Sequence, residues 1–390
     1  MRFARSDRSM LSDWWFTVDR LLFSAVLVLM AGGLILSLAA SPSVASRLGF
    51  NTFHFFIRHA LVIVPAVVLL VAASLLSPRA IRRASFVLFV VALGLMVAAI
   101  FFGPEIKGAT RWLQFAGLSI QPSEFAKPAF VVVSAWLFSE TQHRDDVPSL
   151  PLAILVYVIF VALLVLQPDF GQAFLITLIW GGLFFLAGMP VIWVGILAIG
   201  LLMGGMVAYL TVSHVAGRID RFLKPSTGDT FQTDRAIEAF QNGGWFGTGP
   251  GEGTVKQVLP DSHADFVFAV VAEEFGLITC LVIVALFAFV VLRAMARVQG
   301  ETDSFIRMAT IALVSLFGLQ ALINMAVNVG LLPAKGMTLP FISYGGSSLL
   351  SMALTMGFVL GLTRRRPRAE RFSRSEDDPE RASASREVKA

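Results

Sequence analysis

The sequence LPDSHADFVFAVVAEEFGLITCLVIVALFAFVVL, residues 259–292, passes from a polar loop into a long apolar segment that contains two carboxylates. The apolar part exceeds the roughly 20 residues that a helix needs to cross a bilayer. At about 1.5 Å per residue, Glu273 and Glu274 would lie roughly 12 Å deeper than Asp265 in that helix. Ionisable groups inside a membrane are costly and are usually functional. The stretch therefore predicts a transmembrane helix with a reactive site at its polar end.

The whole chain has the composition of a polytopic membrane protein. Of its 390 residues, 56% are hydrophobic and only 15% are charged, and the mean hydropathy is +0.76. Hydrocarbon offers no hydrogen bonds to the backbone, so each long apolar run is expected to form a helix. We predict an all-α integral membrane protein with about ten transmembrane helices. The predicted spans are residues 17–40, 56–77, 84–103, 123–139, 149–166, 170–187, 190–212, 265–292, 306–331 and 343–363.

Arginines predict the orientation of these helices. They lie before the first span and after the second, eighth and last spans, at Arg2, Arg5, Arg8, Arg79, Arg82, Arg83, Arg293, Arg297 and Arg364 to Arg366. The positive-inside rule then places both termini in the cytoplasm and the long loop 213–264, between helices 7 and 8, outside. We predict a cytoplasmic segment 1–16, a membrane domain 17–363 and a disordered cytoplasmic tail 364–390. The net charge of +5 suits an anionic lipid surface, and no nucleic-acid motif is present.

A polar island, residues 107–127, precedes the fourth span. Pro122 suits a helix start, and Glu124 and Lys127 are three residues apart on one face of that helix. Two interpretations of this pair stay open: an ion pair that neutralises itself in the membrane, or a pair of ligand-binding groups. Arg111 stands beside a tryptophan, which favours an interfacial anchor over a ligand contact.

Two further islands lie between spans. Asp169 follows Gln167 and Pro168 in a tight turn, where it either caps the next helix or serves the site. The loop 213–264 is unusually long, and such loops are more often functional than filler. Its cations, Arg218 among them, could bind an anionic group such as pyrophosphate. Its glycines lack the ending of a P-loop, which favours a flexible or re-entrant segment over a nucleotide site.

The last island, residues 333–348, carries two prolines, three glycines and several hydroxyls at the entry to the final span. Irregular backbone at membrane depth must line a cavity or be buried in protein. Helix packing through small residues explains Gly345 to Ser348 equally well. It does not explain Lys335.

Taken in order along the chain, these motifs resemble those of the SEDS family of cell-wall elongation and division proteins. The resemblance covers nearly the whole chain. It rests on Asp19-Arg20, Arg58, the Arg111 to Lys127 run, Gln167-Pro168-Asp169, the 259–274 run and Ile342 to Ser348. The sequence from Pro333 to Pro340 resembles the division branch, FtsW-like, rather than the elongation branch, RodA-like.

The resemblance implies a peptidoglycan glycosyltransferase that polymerises lipid II at the outer face of the bacterial cytoplasmic (inner) membrane, at the division septum. Asp265 matches the essential acidic residue of the family and is the expected general base. Undecaprenyl pyrophosphate is then the leaving group of one inverting step. Carried over in the same way, the substrate-binding residues are Arg58, Arg111, Gln114, Glu124, Lys127, Asp169, Arg218, Lys335 and Ser343.

Several roles stay open beside this assignment. Asp265 could instead be an N-cap or first-turn carboxylate of its helix. Glu273 and Glu274 are expected to be supporting residues, one of them facing a polar cavity or pairing with a cation such as Lys127. His263 either contacts substrate or is simply solvated.

The resemblance also implies partners and leaves other functions open. The expected partners are lipid II, the undecaprenyl pyrophosphate-linked glycan, a class B penicillin-binding transpeptidase (FtsI-like) and other divisome membrane proteins. No cofactor or metal ligand is assigned, although pyrophosphate chemistry makes a divalent cation, Mg or Mn, plausible. The alternatives are a lipid II flippase and a non-catalytic divisome scaffold. A flippase needs polar groups reaching the cytoplasmic side, whereas the unusual residues cluster at the outer helix ends, which favours the enzyme.

Overall fold

The computed structural model describes residues 10–47, 49–106, 109–115, 118–141, 146, 148–211, 216–217, 220, 231–333 and 336–365. The two predicted substrate residues Arg218 and Lys335 lie outside these ranges. So do residues 1–9 and 366–390, which make up most of the two predicted cytoplasmic segments.

The described chain is helical apart from one short hairpin. Its helices are α1 Met10–Thr17, α2 Arg20–Arg47, α3 His54–Leu75, α4 Pro78–Phe102, α5 Pro122–Thr141, α6 Ser149–Leu166, α7 Phe170–Leu186, α8 Val191–Thr211, α9 Phe231–Gly243, α10 Val267–Val298, α11 Ser304–Asn328 and α12 Gly346–Leu362. The hairpin strands β1 Leu113–Phe115 and β2 Leu118–Ile120 are antiparallel, with Leu113 opposite Ile120. A 3-10 turn, Val255–Gln257, follows α9.

Each of the ten predicted spans coincides with one long helix, α2 to α8 or α10 to α12. Six of these, α2, α3, α4, α6, α10 and α11, are long and apolar enough to cross a membrane. Helices α7 and α12 and part of α8 are shorter apolar helices. The predicted all-α polytopic class is confirmed. The number of membrane crossings, their orientation and the domain boundaries stay predictions.

Short polar side chains cap the N-termini of several of these helices. The Ser77 hydroxyl accepts the Ala80 N–H at the start of α4, where Pro78 is the first helical residue. The Asp303 carboxylate accepts the Ile306 N–H at 3.2 Å at the start of α11. These caps satisfy N–H groups that have no partner within the helix. The caps explain why these helices begin where they do.

Helix α5 lies at the centre of the bundle, where it packs against α4, α6, α7, α11 and α12. It carries Glu124 and Lys127, both buried, and it is less apolar than the helices that surround it. Because it faces protein on nearly every side, its polar groups find partners in neighbouring helices rather than meeting lipid. Helix α8, by contrast, packs mainly against α7 and leaves most of its apolar side chains exposed.

The segment 231–259 folds back along α10 instead of forming an open loop. The Leu277 N–H donates to the Gly244 carbonyl at 2.9 Å, and the Gly249 N–H donates to the Glu274 carbonyl at 3.1 Å. Helix α10 is broken at Gly276, whose φ of 79° and ψ of 175° are open to glycine. A Cβ on Gly276 would overlap the backbone of residues 245–247. Gly276 lies about 14 Å along α10 from its start, so these contacts favour the re-entrant alternative.

Candidate active site

Asp265 lies at the junction between the preceding loop and α10, and its backbone is held by two asparagines of α11. The Nδ2 atoms of Asn324 and Asn328 each donate to the Asp265 carbonyl at 2.9 Å. Asn328 also accepts the Ala269 N–H through Oδ1 at 3.0 Å, and Asn324 donates to the Met337 carbonyl at 2.6 Å. The position of Asp265 is therefore set by its main chain, which is the kind of rigid support that a reactive side chain needs.

The alternative that Asp265 caps α10 is wrong. The N-cap residue is Phe266, which makes no side-chain capping bond, and the first turn of α10 contains no acidic residue. Asp265 precedes the N-cap and is therefore outside the position from which a side chain caps a helix. A Cβ placed on Gly336 would lie 3.8 Å from Asp265 Oδ2. The carboxylate therefore faces the segment 336–343, which leads to the last helix.

Ser343 ties that segment to the loop before Asp265. Its hydroxyl donates to the Ala264 carbonyl at 2.5 Å and accepts the Leu339 N–H at 2.8 Å. The hydroxyl of Ser343 thus already bonds two segments of the chain. Its predicted contact with substrate stays a prediction.

The ring of His263 packs within a group of aromatic side chains. Its centroid lies 4.4 Å from that of Phe55 and 5.7 Å from that of Tyr344. The Tyr344 N–H donates to the His263 carbonyl at 3.0 Å. The alternative in which this side chain is merely solvated is therefore wrong. The contact with Phe55 also brings the first turn of α3 beside the loop that carries Asp265.

A row of amide side chains on α11 leads from Asp265 into the bundle. Gln320, Asn324 and Asn328 are spaced four residues apart, and all three are buried. Gln320 Nε2 donates to the Thr338 carbonyl at 3.2 Å, and Gln320 Oε1 accepts from Lys127 Nζ at 2.9 Å. These three residues are not among the predicted site residues. Their signal was available, because amides repeating every four residues in an apolar helix mark a polar stripe.

The row ends at a buried ion pair in α5. Lys127 Nζ lies 3.0 Å from Glu124 Oε2, and Gln172 Nε2 donates to Glu124 Oε1 at 3.0 Å. The self-neutralising pair is confirmed as a contact. The suggested pairing of Lys127 with Glu273 or Glu274 is wrong, because helix packing carries the lysine to α11. Whether Glu124 and Lys127 also contact substrate stays a prediction.

Replacing Lys127 by methionine is expected to lower the free energy of unfolding by about 3–5 kcal/mol, because it leaves the buried Glu124 carboxylate uncompensated. The double variant Glu124→Gln/Lys127→Met should recover most of that loss. Thermal unfolding of both proteins in the same detergent measures the difference, and the single variant Glu124→Gln completes the cycle. Additive effects of the two substitutions would contradict the pairing.

A second polar group surrounds Asp169 in the turn before α7. Its carboxylate accepts the Gln172 N–H at 3.4 Å, so the predicted helix cap is confirmed. Arg111 Nη1 lies 3.5 Å from Asp169 Oδ2, and the guanidinium also donates to the carbonyls of Gln167 and Pro168. Burial raises the pKa of the Asp169 carboxyl above its ordinary value, and the Arg111 charge opposes that rise. Arg111 is thus bound to protein groups rather than simply anchored at an interface.

Arg58 and Gln114 differ from the other predicted substrate residues that the structure describes in being exposed. Arg58 lies in the first turns of α3, three residues after Phe55, and Gln114 lies in β1. Neither side chain makes a hydrogen bond or ion pair with any residue that the structure describes. Their predicted roles stay predictions, and Arg58 keeps its full set of donors available to an anion.

Glu273 and Glu274 hold the re-entrant segment against α10. Glu273 accepts three backbone N–H groups, from Thr254 and Val255 at 2.7 Å and from Lys256 at 3.0 Å. The Lys256 ammonium forms an ion pair with Glu274. Both carboxylates are fully buried. These contacts support the predicted supporting role, with Lys256 as the partner that the spacing did not identify.

The described residues contain no group of three or more histidine, cysteine, aspartate or glutamate side chains that could hold a metal ion. The divalent cation that pyrophosphate chemistry suggests stays a prediction, with no protein ligands assigned to it.

A model of the cell cycle protein family that includes FtsW, RodA and SpoVE matches residues 19–367. The chain belongs to the FtsW/RodA/SpoVE family. Within it, this chain is 48% identical over 368 residues to a protein of Caulobacter vibrioides named probable peptidoglycan glycosyltransferase FtsW, with 94% of each chain covered. A protein of the same name from Trichlorobacter lovleyi is 36% identical, over 88% of this chain and 93% of the relative.

Solved structures of the FtsW/RodA/SpoVE family share the fold. One belongs to a study of how a peptidoglycan synthase complex coordinates polymerization and crosslinking; its chain matches with a TM-score of 0.73 and 26% identity, over 90% of this chain and 98% of that one. The rod shape determining protein RodA of Thermus thermophilus matches with a TM-score of 0.68 and 24% identity, over 90% and 99%. The predicted SEDS resemblance is confirmed, and the protein is an integral membrane protein.

Proposed function

We propose that this protein is a peptidoglycan glycosyltransferase that polymerises lipid II during septal cell-wall synthesis. The names of its relatives support the activity and the division branch. The observation that carries the chemistry is the setting of Asp265. Its main chain is clamped by Asn324 and Asn328, and its carboxylate lies 3.8 Å from the position that a Cβ on Gly336 would take.

In the proposed reaction, Asp265 is the general base. The C4 hydroxyl of the acceptor sugar loses its proton to the carboxylate as its oxygen attacks the anomeric carbon of the donor. The bond from that carbon to the pyrophosphate oxygen breaks, and the electron pair leaves with undecaprenyl pyrophosphate. A single displacement on an α-linked donor inverts the centre and makes a β-linked strand.

The leaving group develops negative charge, which a nearby cation stabilises. We assign this task first to Arg58, because its guanidinium is exposed and makes no ion pair with the described residues. It follows Phe55 by three residues on α3, and the Phe55 ring contacts His263, two residues before Asp265. Arg111, by contrast, is already bound to Asp169 and two carbonyls. Lys335 and Arg218 stay candidates for the same task.

The location and partner follow from the proposed activity. We place the protein in the bacterial cytoplasmic membrane at the division septum, with both termini cytoplasmic, because the arginines of the connecting segments lie on one predicted side. A class B penicillin-binding transpeptidase is the proposed partner. The structural likeness to a chain of a peptidoglycan synthase complex supports that pairing.

A polymerisation assay tests the proposal. The purified protein, alone and with its cognate transpeptidase, is given labelled lipid II, and glycan strands are separated by length. We expect weak polymerisation by the protein alone and a clear increase in the complex, with none from the transpeptidase alone. Equal rates with and without the partner would contradict the stimulation. A well-folded complex that makes no polymer would overturn the enzyme, and lipid II flipping in liposomes would then test the transporter.

A further inference from the structure

A cavity of about 280 Å³ opens at the end of the bundle opposite Asp265. It lies where α1, the start of α2, the end of α10 and the end of α12 meet. Along α10, Arg293 is 28 residues beyond Asp265, or about 40 Å at the rise of a helix. The cavity is therefore separate from the candidate active site.

One buried carboxylate organises the floor of this cavity. Asp19 Oδ1 accepts the N–H groups of Leu21 and Leu22 at 3.1 Å each. Asp19 Oδ2 accepts hydrogen bonds from the Nε–H of Arg293, at 3.0 Å, and from the Nε–H of Arg297. These bonds offset the cost of burying the carboxylate. Both oxygens of the carboxylate are engaged.

The guanidinium groups of Arg293 and Arg297 are held by Asp19 but have hydrogen-bond donors left over. Within the described part of the chain, each bonds Asp19 through Nε alone, which leaves the terminal NH₂ groups of Arg293 and Arg297 without a partner there. The side chains of Arg293 and Arg297 are 32% and 23% exposed. Two more cations line the cavity, Arg20 and Arg365. Four arginines and one carboxylate thus line the cavity, and the lining carries an excess of positive charge.

Further contacts tie the segments that carry Arg20 and Arg365 to α1. Arg20 lies over the ring of Trp15, with its central carbon 4.9 Å from the ring centroid, and it donates to the Trp15 carbonyl at 3.2 Å. The main-chain N–H of Arg365 donates to the Thr17 carbonyl at 3.0 Å. Each contact ties the chain segment that carries the arginine to α1.

We propose that this cavity binds the phosphate of an anionic phospholipid headgroup. Guanidinium groups hold phosphate oxygens in bidentate geometry, and basic pockets between membrane helices are suited to acidic headgroups. The same lining also carries exposed apolar side chains, with Leu21 58% and Phe16 38% exposed. A ligand with a charged head and an acyl chain satisfies both parts of the lining, whereas free phosphate satisfies only the first.

Lipid binding to the full-length protein in neutral detergent tests the proposal, with phosphatidylglycerol as the probe and native mass spectrometry as the readout. The double variant Arg20→Gln/Arg365→Gln removes two cations and leaves the pairing of Asp19 intact. At about fivefold for each arginine near a headgroup, we expect the apparent Kd for phosphatidylglycerol to rise about 30-fold. Phosphatidylcholine should bind weakly to both proteins.

The matched control is Arg79→Gln/Arg83→Gln, which removes the same charge from exposed positions of α4. It should leave the apparent Kd nearly unchanged. Equal weakening by the two double variants would overturn the proposal, because the effect would then be one of net charge. If inorganic phosphate bound the protein as tightly as phosphatidylglycerol did, the cavity would be assigned to a free anion instead. A third variant, Asp19→Asn/Arg293→Gln/Arg297→Gln, removes the inner pair without leaving a buried carboxylate and should abolish binding.

Discussion

Replacing Asp265 by asparagine is expected to lower lipid II polymerisation by about 10²–10⁴-fold, the usual contribution of a positioned general base. The loss should arise without unfolding, because Asn324 and Asn328 bind the main-chain carbonyl of Asp265 rather than its carboxylate. Asparagine keeps the size of the side chain but cannot accept a proton at neutral pH. The rate of strand synthesis in complex with the transpeptidase is the measurement.

The matched control for this variant is Asp234→Asn, which makes the same chemical change at an exposed position in α9. Its rate should stay close to that of the original protein. The thermal unfolding midpoint and transpeptidase binding of both variants should also match the original. Asp265→Asn polymerising at an undiminished rate would remove the aspartate from the mechanism and leave the general base unassigned.

Replacing Glu273 by alanine is expected to release residues 254–259 from α10 and to abolish polymerisation. The three N–H groups that Glu273 accepts would lose their acceptor, and each buried donor left without one costs about 1–3 kcal/mol. Release of this segment would also free the loop that leads to Asp265, which lies six residues after Leu259. The activity loss would therefore be indirect.

Glutamine at position 273 should have an intermediate effect. Its one carbonyl oxygen can still accept the Thr254 and Val255 N–H groups, but its amide NH₂ would face the donating Lys256 N–H. Hydrogen–deuterium exchange of residues 244–259 measures the release directly, and strand synthesis measures its consequence. Glu252→Gln, an exposed change in the same segment, is the control. Unchanged exchange in Glu273→Ala would show that the clamp is not required.

The sequence was a reliable guide wherever the determining interaction is local. Apolar runs long enough to span a bilayer predicted helices that the structure has at all ten positions. Asp169 was predicted as a possible cap and is one. Glu124 and Lys127 are three residues apart on one helix, and they form the ion pair that was one interpretation of their spacing. Helix periodicity alone decides which side chains within a helix can meet.

The remaining contacts of the site join residues that are distant in sequence. Glu274 pairs with Lys256 across a fold of the chain, and Lys127 reaches Gln320 on another helix. Spacing carries no information about such partners, because they depend on which helix faces which after packing. The sequence by itself determined the membrane class, the helices and the residues that mark the family. Only the tertiary structure decided that Asp265 is clamped through its main chain, since the asparagines that hold it belong to a helix that begins 39 residues later.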